Sequence, residues 1–260
     1  MSSFISVDEA RSRPGLRLVL TIGVPGPWGE AAKGIFHAKG VAFARVPQLG
    51  AQPNPELLDW TGIDNAPQVV LDDERPLSGW VEILLRAEKL APAPRLLPED
   101  AADRALMFGL SHELMGQGGF CWTRRLMMVY PLLQLPEDNP ARTFGARLAD
   151  KYGIGDGAEA EAAPERMAAI LRMLSGQLAR QREAGSAYLV GDALSAADIY
   201  WAASCALVSP LPADVCPMSD MMRASYGAPH PLIDAALDPA LVEHRDRIYR
   251  DYMELPIVLE

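Results

Sequence analysis

The chain has few cysteines and no long apolar segment, and both absences narrow the classes of protein it can belong to. Its three cysteines are an odd number, and no two of them have CxxC spacing. This pattern indicates neither a disulfide framework nor a zinc site, and it favours a reducing compartment. No run of about 18 apolar residues occurs, and Asp8 and Glu9 stand where a signal peptide has its apolar core. We therefore expect a cytoplasmic protein without a metal or a membrane partner.

The sequence also lacks an excess of positive charge. Its 24 lysines and arginines are outnumbered by 34 aspartates and glutamates, which gives a formal net charge of -10 at pH 7. Because contacts with phosphates need a basic surface, this balance argues against nucleic acid and anionic membranes as partners. The 260 residues are 49% hydrophobic and 22% charged, as in a soluble protein with one large domain or two small ones.

The N-terminal part alternates strand and helix patterns. Leu16 to Ile22 is apolar on both faces, as in a strand covered by helices, and a turn with three glycines and two prolines follows at residues 23–29. The patterns that come next are a helix at 31–38, a strand at 41–46, a hairpin at 68–77 and a helix at 80–90. The order βαβ followed by ββα is typical of a thioredoxin-like domain.

Prolines mark a boundary between two parts of the chain. The run APAPRLLP at residues 91–98 contains three prolines, which resist helix continuation and stiffen a linker. Helical periodicity dominates beyond it, beginning with a predicted helix from Ala101 to Tyr130, and it is clearest at residues 165–181. The sequence therefore predicts a thioredoxin-like domain at residues 1–92, followed by an all-helical C-terminal bundle domain at residues 98–260.

A resemblance to a known family rests first on the segment YLVGDALSAADIYWAASC, Tyr188 to Cys205. In this segment, Ser195 and Asp198 form a capping-box pattern before an apolar run, which we interpret as a folding feature. The segment resembles the entry to the core helix of the cytosolic glutathione transferases, and the order of elements matches that family across both predicted domains. The resemblance implies glutathione as co-substrate, a small hydrophobic electrophile that is conjugated or reduced, and a homodimer. The alternative is a non-catalytic protein that keeps the fold for binding or assembly.

Two further segments resemble glutathione-binding positions of the family. Around Ala66 and Pro67, the sequence NAPQVV resembles the segment in which relatives place a cis-proline before the third strand. A cis bond would turn the backbone of Ala66 toward the cysteinyl part of glutathione, whereas a trans proline would only start a strand. Ser78 stands where relatives have the serine of a Glu-Ser pair, although Leu77 replaces the acid. Its hydroxyl would bind the γ-glutamyl carboxylate or would serve as a plain helix cap.

The turn after the first strand lacks the side chain that usually binds the glutathione sulfur. Relatives have serine, cysteine or tyrosine near this turn, and the sequence PGPWGE has none of them. We expect the backbone of Gly26, Pro27 and Gly29 to bind glutathione, with the indole of Trp28 or, more weakly, the hydroxyl of Thr21 as the catalytic donor. Trp28 is also a typical packing residue. The CxxC of a thioredoxin-type redox protein is missing from this turn.

The acceptor substrate is expected between the two predicted domains. The first long helix is rich in apolar side chains, and we predict a substrate pocket formed by Met107, Phe108, His112 and Met115. The methionines equally suit a bundle core. His112 and Arg124 could face the cleft, while Glu30 and Lys33, on the helix after the first turn, are interpreted as solvent-facing charges.

Overall fold

The computed structural model describes residues 3–155 and 157–260. Its sheet has three strands in the order β2-β1-β3, with β1 parallel to β2 and antiparallel to β3. The strands are β1 (Leu16–Thr21), β2 (Ala44–Gln48) and β3 (Gln68–Leu71). The helices of this part are α1 (Val7–Ser12), α2 (Pro27–Ala38), α3 (Pro55–Thr61) and α4 (Trp80–Leu90).

Strand β1 is buried on both of its faces, as its apolar pattern predicts. Leu18 and Leu20 belong to one cluster with α2 and α4, whereas Val19 belongs to another with α1 and α3. Successive side chains of a strand point to opposite faces, so this division places one pair of helices on each side of the sheet. The fold class of the N-terminal part is therefore the predicted thioredoxin-like one.

The predicted hairpin is shorter than its sequence pattern suggests. The partner segment of β3 is reduced to one bridge, in which the amides and carbonyls of Val69 and Leu77 exchange hydrogen bonds of 2.8 and 2.9 Å. Pro76, just before Leu77, has no amide hydrogen to donate. A proline therefore limits the ladder at this edge of the sheet.

The rest of the chain is helical. Its helices are α5 (Ala101–Met115), α6 (Phe120–Leu133), α7 (Pro140–Tyr152), α8 (Gly157–Glu183), α9 (Ala196–Cys205), α10 (Asp220–Tyr226), α11 (Pro231–Ala236) and α12 (Pro239–Tyr252). The sequence predicted one helix from Ala101 to Tyr130, but the chain turns between α5 and α6. A Cβ at Gly119 would lie 2.7 Å from the carbonyl oxygen of Glu113, so this turn needs glycine. No helix within the described residues is both long and apolar enough to cross a membrane.

Helix α9 is the centre of the helical part, since all ten of its residues are buried. Asp198 organises its start: one carboxylate oxygen accepts hydrogen bonds from the amide and the hydroxyl of Ser195, both at 2.9 Å. The other oxygen accepts from the amide of Leu189 at 2.8 Å and lies 2.9 Å from Nε2 of His244. The predicted contact between Asp198 and the Ser195 amide is therefore present, and it extends to α12.

The two parts of the chain share one continuous apolar core. Helix α2 packs against α9, and buried residues of α2, α4, α5 and α9 belong to a single cluster. The C-terminal segment crosses back to the sheet, where the Gly23 amide donates to the Leu259 carbonyl at 2.8 Å. The C-terminal segment therefore contacts the turn after β1.

Candidate functional site

Three loops meet beside the start of α2: the turn after β1, the loop before β3 and the loop before α4. The peptide bond between Ala66 and Pro67 is cis, as the family resemblance predicts. Gly26 is the N-cap of α2, and Pro27 is its first residue. The amides of Trp28 and Gly29 make no backbone hydrogen bond in the part of the chain that the structure describes. Two backbone donors are therefore available at the positive end of this helix.

A small cavity lies where these loops meet the helical part. Its walls include Trp28, Pro67, Ser78, Trp80, Met115 and Tyr200. The cavity measures about 10 Å³, which is the space of about one water molecule. A ligand as large as a tripeptide does not fit inside this cavity and could lie only along its open rim.

Ser78 has a free hydroxyl at this rim. The N-cap of α4 is Gly79, and its amide donates to a carboxylate oxygen of Glu82 at 3.2 Å. Ser78 is exposed, and its hydroxyl has no partner among residues 3–155 and 157–260. The structure thus assigns the capping role to other residues and leaves Ser78 available for a ligand.

Both predicted catalytic donors have their hydrogens engaged. The indole N–H of Trp28 donates to the Met115 carbonyl at 2.9 Å, and the hydroxyl of Thr21 donates to Oε1 of Gln48 at 2.8 Å. The first bond ties the turn after β1 to the end of α5, and the second joins β1 to β2. The catalytic assignment of Trp28 and Thr21 therefore stays a prediction, and it requires these bonds to break.

The predicted substrate pocket is formed only in part. Met115 lines the cavity, but Met107 is fully buried and accepts a hydrogen bond from the Ser111 hydroxyl at 3.4 Å, so it belongs to the core. Phe108 is half-buried against the same core, and His112 is exposed. These residues do not form one pocket because one side of α5 faces the bundle and the other side faces solvent.

Two aromatic side chains complete the cavity and were not predicted to do so. Trp80 and Tyr200 pack edge to face with ring centroids 5.5 Å apart, and the Tyr200 hydroxyl donates to the Trp80 carbonyl at 3.2 Å. Burial raises the pKa of Tyr200, so the phenol stays neutral. Tyr200 stands inside the segment that first carries the family resemblance, and Trp80 lies two residues after Ser78. This resemblance was the only signal in the sequence that could have pointed to them.

Arg125 on α6 borders the same region from the helical side. Its guanidinium carbon lies 4.3 Å from the ring centroid of Trp28 and 3.9 Å from that of Tyr152. Its neighbour Arg124, which the sequence left as a residue that could face the cleft, is buried and donates to the carbonyls of Ser225, Tyr226 and Ala228. The arginine that reaches the turn after β1 is thus one residue further along the helix.

The cysteines are not candidate nucleophiles. Burial raises the pKa of Cys121 and of Cys205 to about 12, and burial also raises the pKa of Cys216. A buried thiol with a raised pKa forms little thiolate at neutral pH. Within the described ranges, no group of three or more His, Cys, Asp or Glu side chains could hold a metal ion. Any reactive thiol at this site has to come from a ligand.

No protein-family model matches the sequence, and no curated protein matches it. Solved structures do match. A glutathione S-transferase from Methylobacterium radiotolerans, in complex with glutathione sulfonate, has 15% identity and a TM-score of 0.62, with 91% of each chain covered. A rice glutathione S-transferase in complex with glutathione has 17% identity and a TM-score of 0.58, with 94% of this chain and 93% of the rice chain covered.

A beta-etherase from Sphingobium sp. is also similar, at 16% identity and a TM-score of 0.57, with 89% of this chain and 99% of the etherase covered. These likenesses extend over the sheet-containing part and the helical part together. The chain therefore has the fold of the glutathione S-transferases.

Proposed function

We propose that the chain is a glutathione-dependent transferase that conjugates or reduces a small hydrophobic electrophile. The observation that carries the proposal is that the cis bond at Pro67, the free Ser78 hydroxyl and Trp28 border one cavity, next to the unpaired amides of Trp28 and Gly29 at the start of α2. In this arrangement Ser78 binds the γ-glutamyl carboxylate, and the backbone of Ala66 holds the cysteinyl part. The units at residues 1–92 and 98–260, a homodimer and a cytoplasmic location belong to the same proposal.

The chemistry needs a thiolate near the start of α2. A free thiol has a pKa of about 8.5, and lowering it by about 2 units takes nearly 3 kcal/mol of selective stabilisation. The amides of Trp28 and Gly29, with the positive end of α2, supply donors for the sulfur without a hydroxyl side chain. The thiolate then attacks the electrophile: a sulfur–carbon bond forms, and the leaving group departs with its electron pair.

A second candidate is a non-catalytic binding protein. It is favoured by the small cavity and by the bond between the Trp28 indole and Met115, which closes the turn against α5. In this case glutathione or a similar thiol would bind at the rim without activation. The two candidates share the fold and differ in whether the thiol reacts.

Calorimetric titration with millimolar glutathione, followed by a chlorodinitrobenzene assay, separates the two. We expect binding, turnover and a roughly tenfold weaker affinity for Ser78→Ala, since a hydrogen bond to a carboxylate is lost. The matched control is Ser225→Ala, because Ser225 is also exposed and lies on α10. Binding without turnover would select the non-catalytic protein, and no binding at millimolar glutathione would reject the glutathione-dependent transferase.

A further inference from the structure

The guanidinium of Arg125 is enclosed by aromatic rings. It lies over Tyr152 and Trp28, at 3.9 and 4.3 Å, and a third ring, that of Trp122, is 5.6 Å away. Such stacking is favourable for a planar cation. Rings that cover the faces of a guanidinium leave its edge, where the N–H groups point outward, as the part that can bind a partner.

That edge has no acceptor from the protein. Neither a hydrogen bond nor an ion pair involves Arg125 in the described parts of the chain. Arg147 and Arg172 also lack a polar partner there, but both are exposed and reach water freely. Arg125 is the less exposed side chain, and its burial lowers the pKa of the guanidinium, although arginine stays charged in proteins. Buried Arg124 next to it donates to three backbone carbonyls, whereas Arg125 has no polar partner among the described residues.

Its position connects this cation with the proposed reaction site. Trp28 lines the cavity and stands at the start of α2, while Arg125 contacts the indole and does not line the cavity. Arg125, Trp122 and Tyr152 all come from the helical part, on α6 and α7. Ser78, which we assign to the γ-glutamyl carboxylate, comes from the sheet-containing part. Arg125 thus lies next to Trp28 on the helical side of the cavity, and the acceptor is expected on that side.

We propose that Arg125 binds a carboxylate of the acceptor substrate, which makes the second substrate an apolar electrophile with an acidic group. The inference rests on the proposed function. A guanidinium edge binds a carboxylate through two parallel hydrogen bonds, and a neutral ester cannot replace both. The same chemistry could come from a carboxylate of glutathione itself, and the experiment is designed to separate the two sources.

The test compares 4-chloro-3,5-dinitrobenzoate with its methyl ester, which differ only in the charged group. We expect Arg125→Gln to raise KM for the acid about 10-fold to 100-fold, and to change KM for the ester and for glutathione less than about twofold. Arg125→Lys keeps the charge but cannot form two parallel hydrogen bonds, so its KM for the acid should lie between those of the wild type and Arg125→Gln. Arg147→Gln, which removes the same charge from an exposed position, should change none of these values.

A binding measurement separates this inference from the proposed function. Quenching of tryptophan fluorescence by the acid and by the ester is measured without glutathione, because Trp28 and Trp122 flank the guanidinium. Tighter binding of the acid, lost in Arg125→Gln, supports the carboxylate site even where turnover is absent. Equal affinity of the wild-type protein for acid and ester would overturn it. A raised KM for glutathione, with acid and ester unchanged relative to one another, would assign the carboxylate to glutathione and overturn the acceptor assignment.

Discussion

Gly34 lies so close to Met253 that a Cβ at Gly34 would stand 2.7 Å from the methyl carbon of that methionine and 2.9 Å from Cγ2 of Ile199. Helix α2 therefore meets α9 and the end of α12 without space for a side chain. We expect Gly34→Ala to lower the free energy of unfolding by about 1–3 kcal/mol, because the packed neighbours have to move. Urea denaturation measures the change.

The control for that substitution is Gly109→Ala. Gly109 lies within α5, and nothing stands within 4 Å of the position its Cβ would take. Alanine is favoured over glycine in a helix by about 1 kcal/mol, so this variant should be more stable than the wild type. Equal effects of the two substitutions would contradict a tight approach at Gly34.

Asp198 should be one of the most sensitive positions of the helical part. Asp198→Asn places an amide group against the donors of Ser195 and Leu189, and we expect a loss of about 2–4 kcal/mol in the free energy of unfolding. Thermal and urea denaturation both report it. Asp192→Asn, at an exposed aspartate just before the same helix, is the control and should have almost no effect. A similar loss in both variants would refute the bonding of Asp198.

Trp28→Phe tests whether the indole acts on the sulfur or on the fold. The substitution removes the donor to the buried Met115 carbonyl, so the free energy of unfolding should fall by about 1 kcal/mol. Because the N–H is already engaged, kcat of the proposed glutathione conjugation should change less than about twofold. Trp60→Phe, on α3, is the control. A loss of kcat beyond tenfold in Trp28→Phe alone would support the indole as the catalytic donor.

The native cysteines should resist alkylation. Because the pKa of Cys121 and of Cys205 is raised to about 12, roughly one thiol in ten thousand is ionised at pH 8. Labelling by a thiol reagent should be slow in the native protein, should accelerate as the pH rises, and should reach three equivalents in guanidinium chloride. Rapid labelling at pH 7 would place a reactive thiol on the protein itself.

The burial of Glu30 should make the stability of the protein depend on pH. Burial raises the pKa of Glu30 despite Lys33, whose Nζ lies 2.8 Å from its Oε1. The folded state therefore binds the proton more tightly than the unfolded state, and this stabilisation is lost as the pH rises above the unfolded value of about 4.3. Relative to Glu30→Gln, the free energy of unfolding of the wild type should fall by up to about 1.4 kcal/mol per pH unit between the unfolded pKa of Glu30 and its raised pKa in the folded state. Parallel stability profiles of the two proteins between pH 4 and 8 would contradict this assignment.

The sequence predicted features that depend on neighbours along the chain. The alternation of β1, α2, β2, β3 and α4 and the contact of Asp198 with the Ser195 amide are present in the structure, and each is coded by a short segment, as an apolar period, a turn or a cap. The cis bond at Pro67 is also present, but it was predicted from the family resemblance. Such signals do not need knowledge of the distant parts of the fold.

The features that were missed depend on distant contacts. Glu30 and Lys33 were expected at the surface, but they are buried because the C-terminal segment covers α2 and the Val258 carbonyl accepts from Lys33 at 3.0 Å. Arg124 and Arg125 are adjacent and chemically identical, and only the rotation of α6 decides which one reaches Trp28. A period of 3.6 residues cannot resolve that difference without the packing partner.

The return of the C-terminal segment to the sheet has a consequence for protein engineering. Through Gly23 and Lys33, the last residues of the chain complete the surroundings of α2. A chimera that exchanges only the sheet-containing half with a relative would pair α2 with a foreign tail. Recombination between such proteins should therefore yield soluble hybrids only when both ends of the chain are exchanged together.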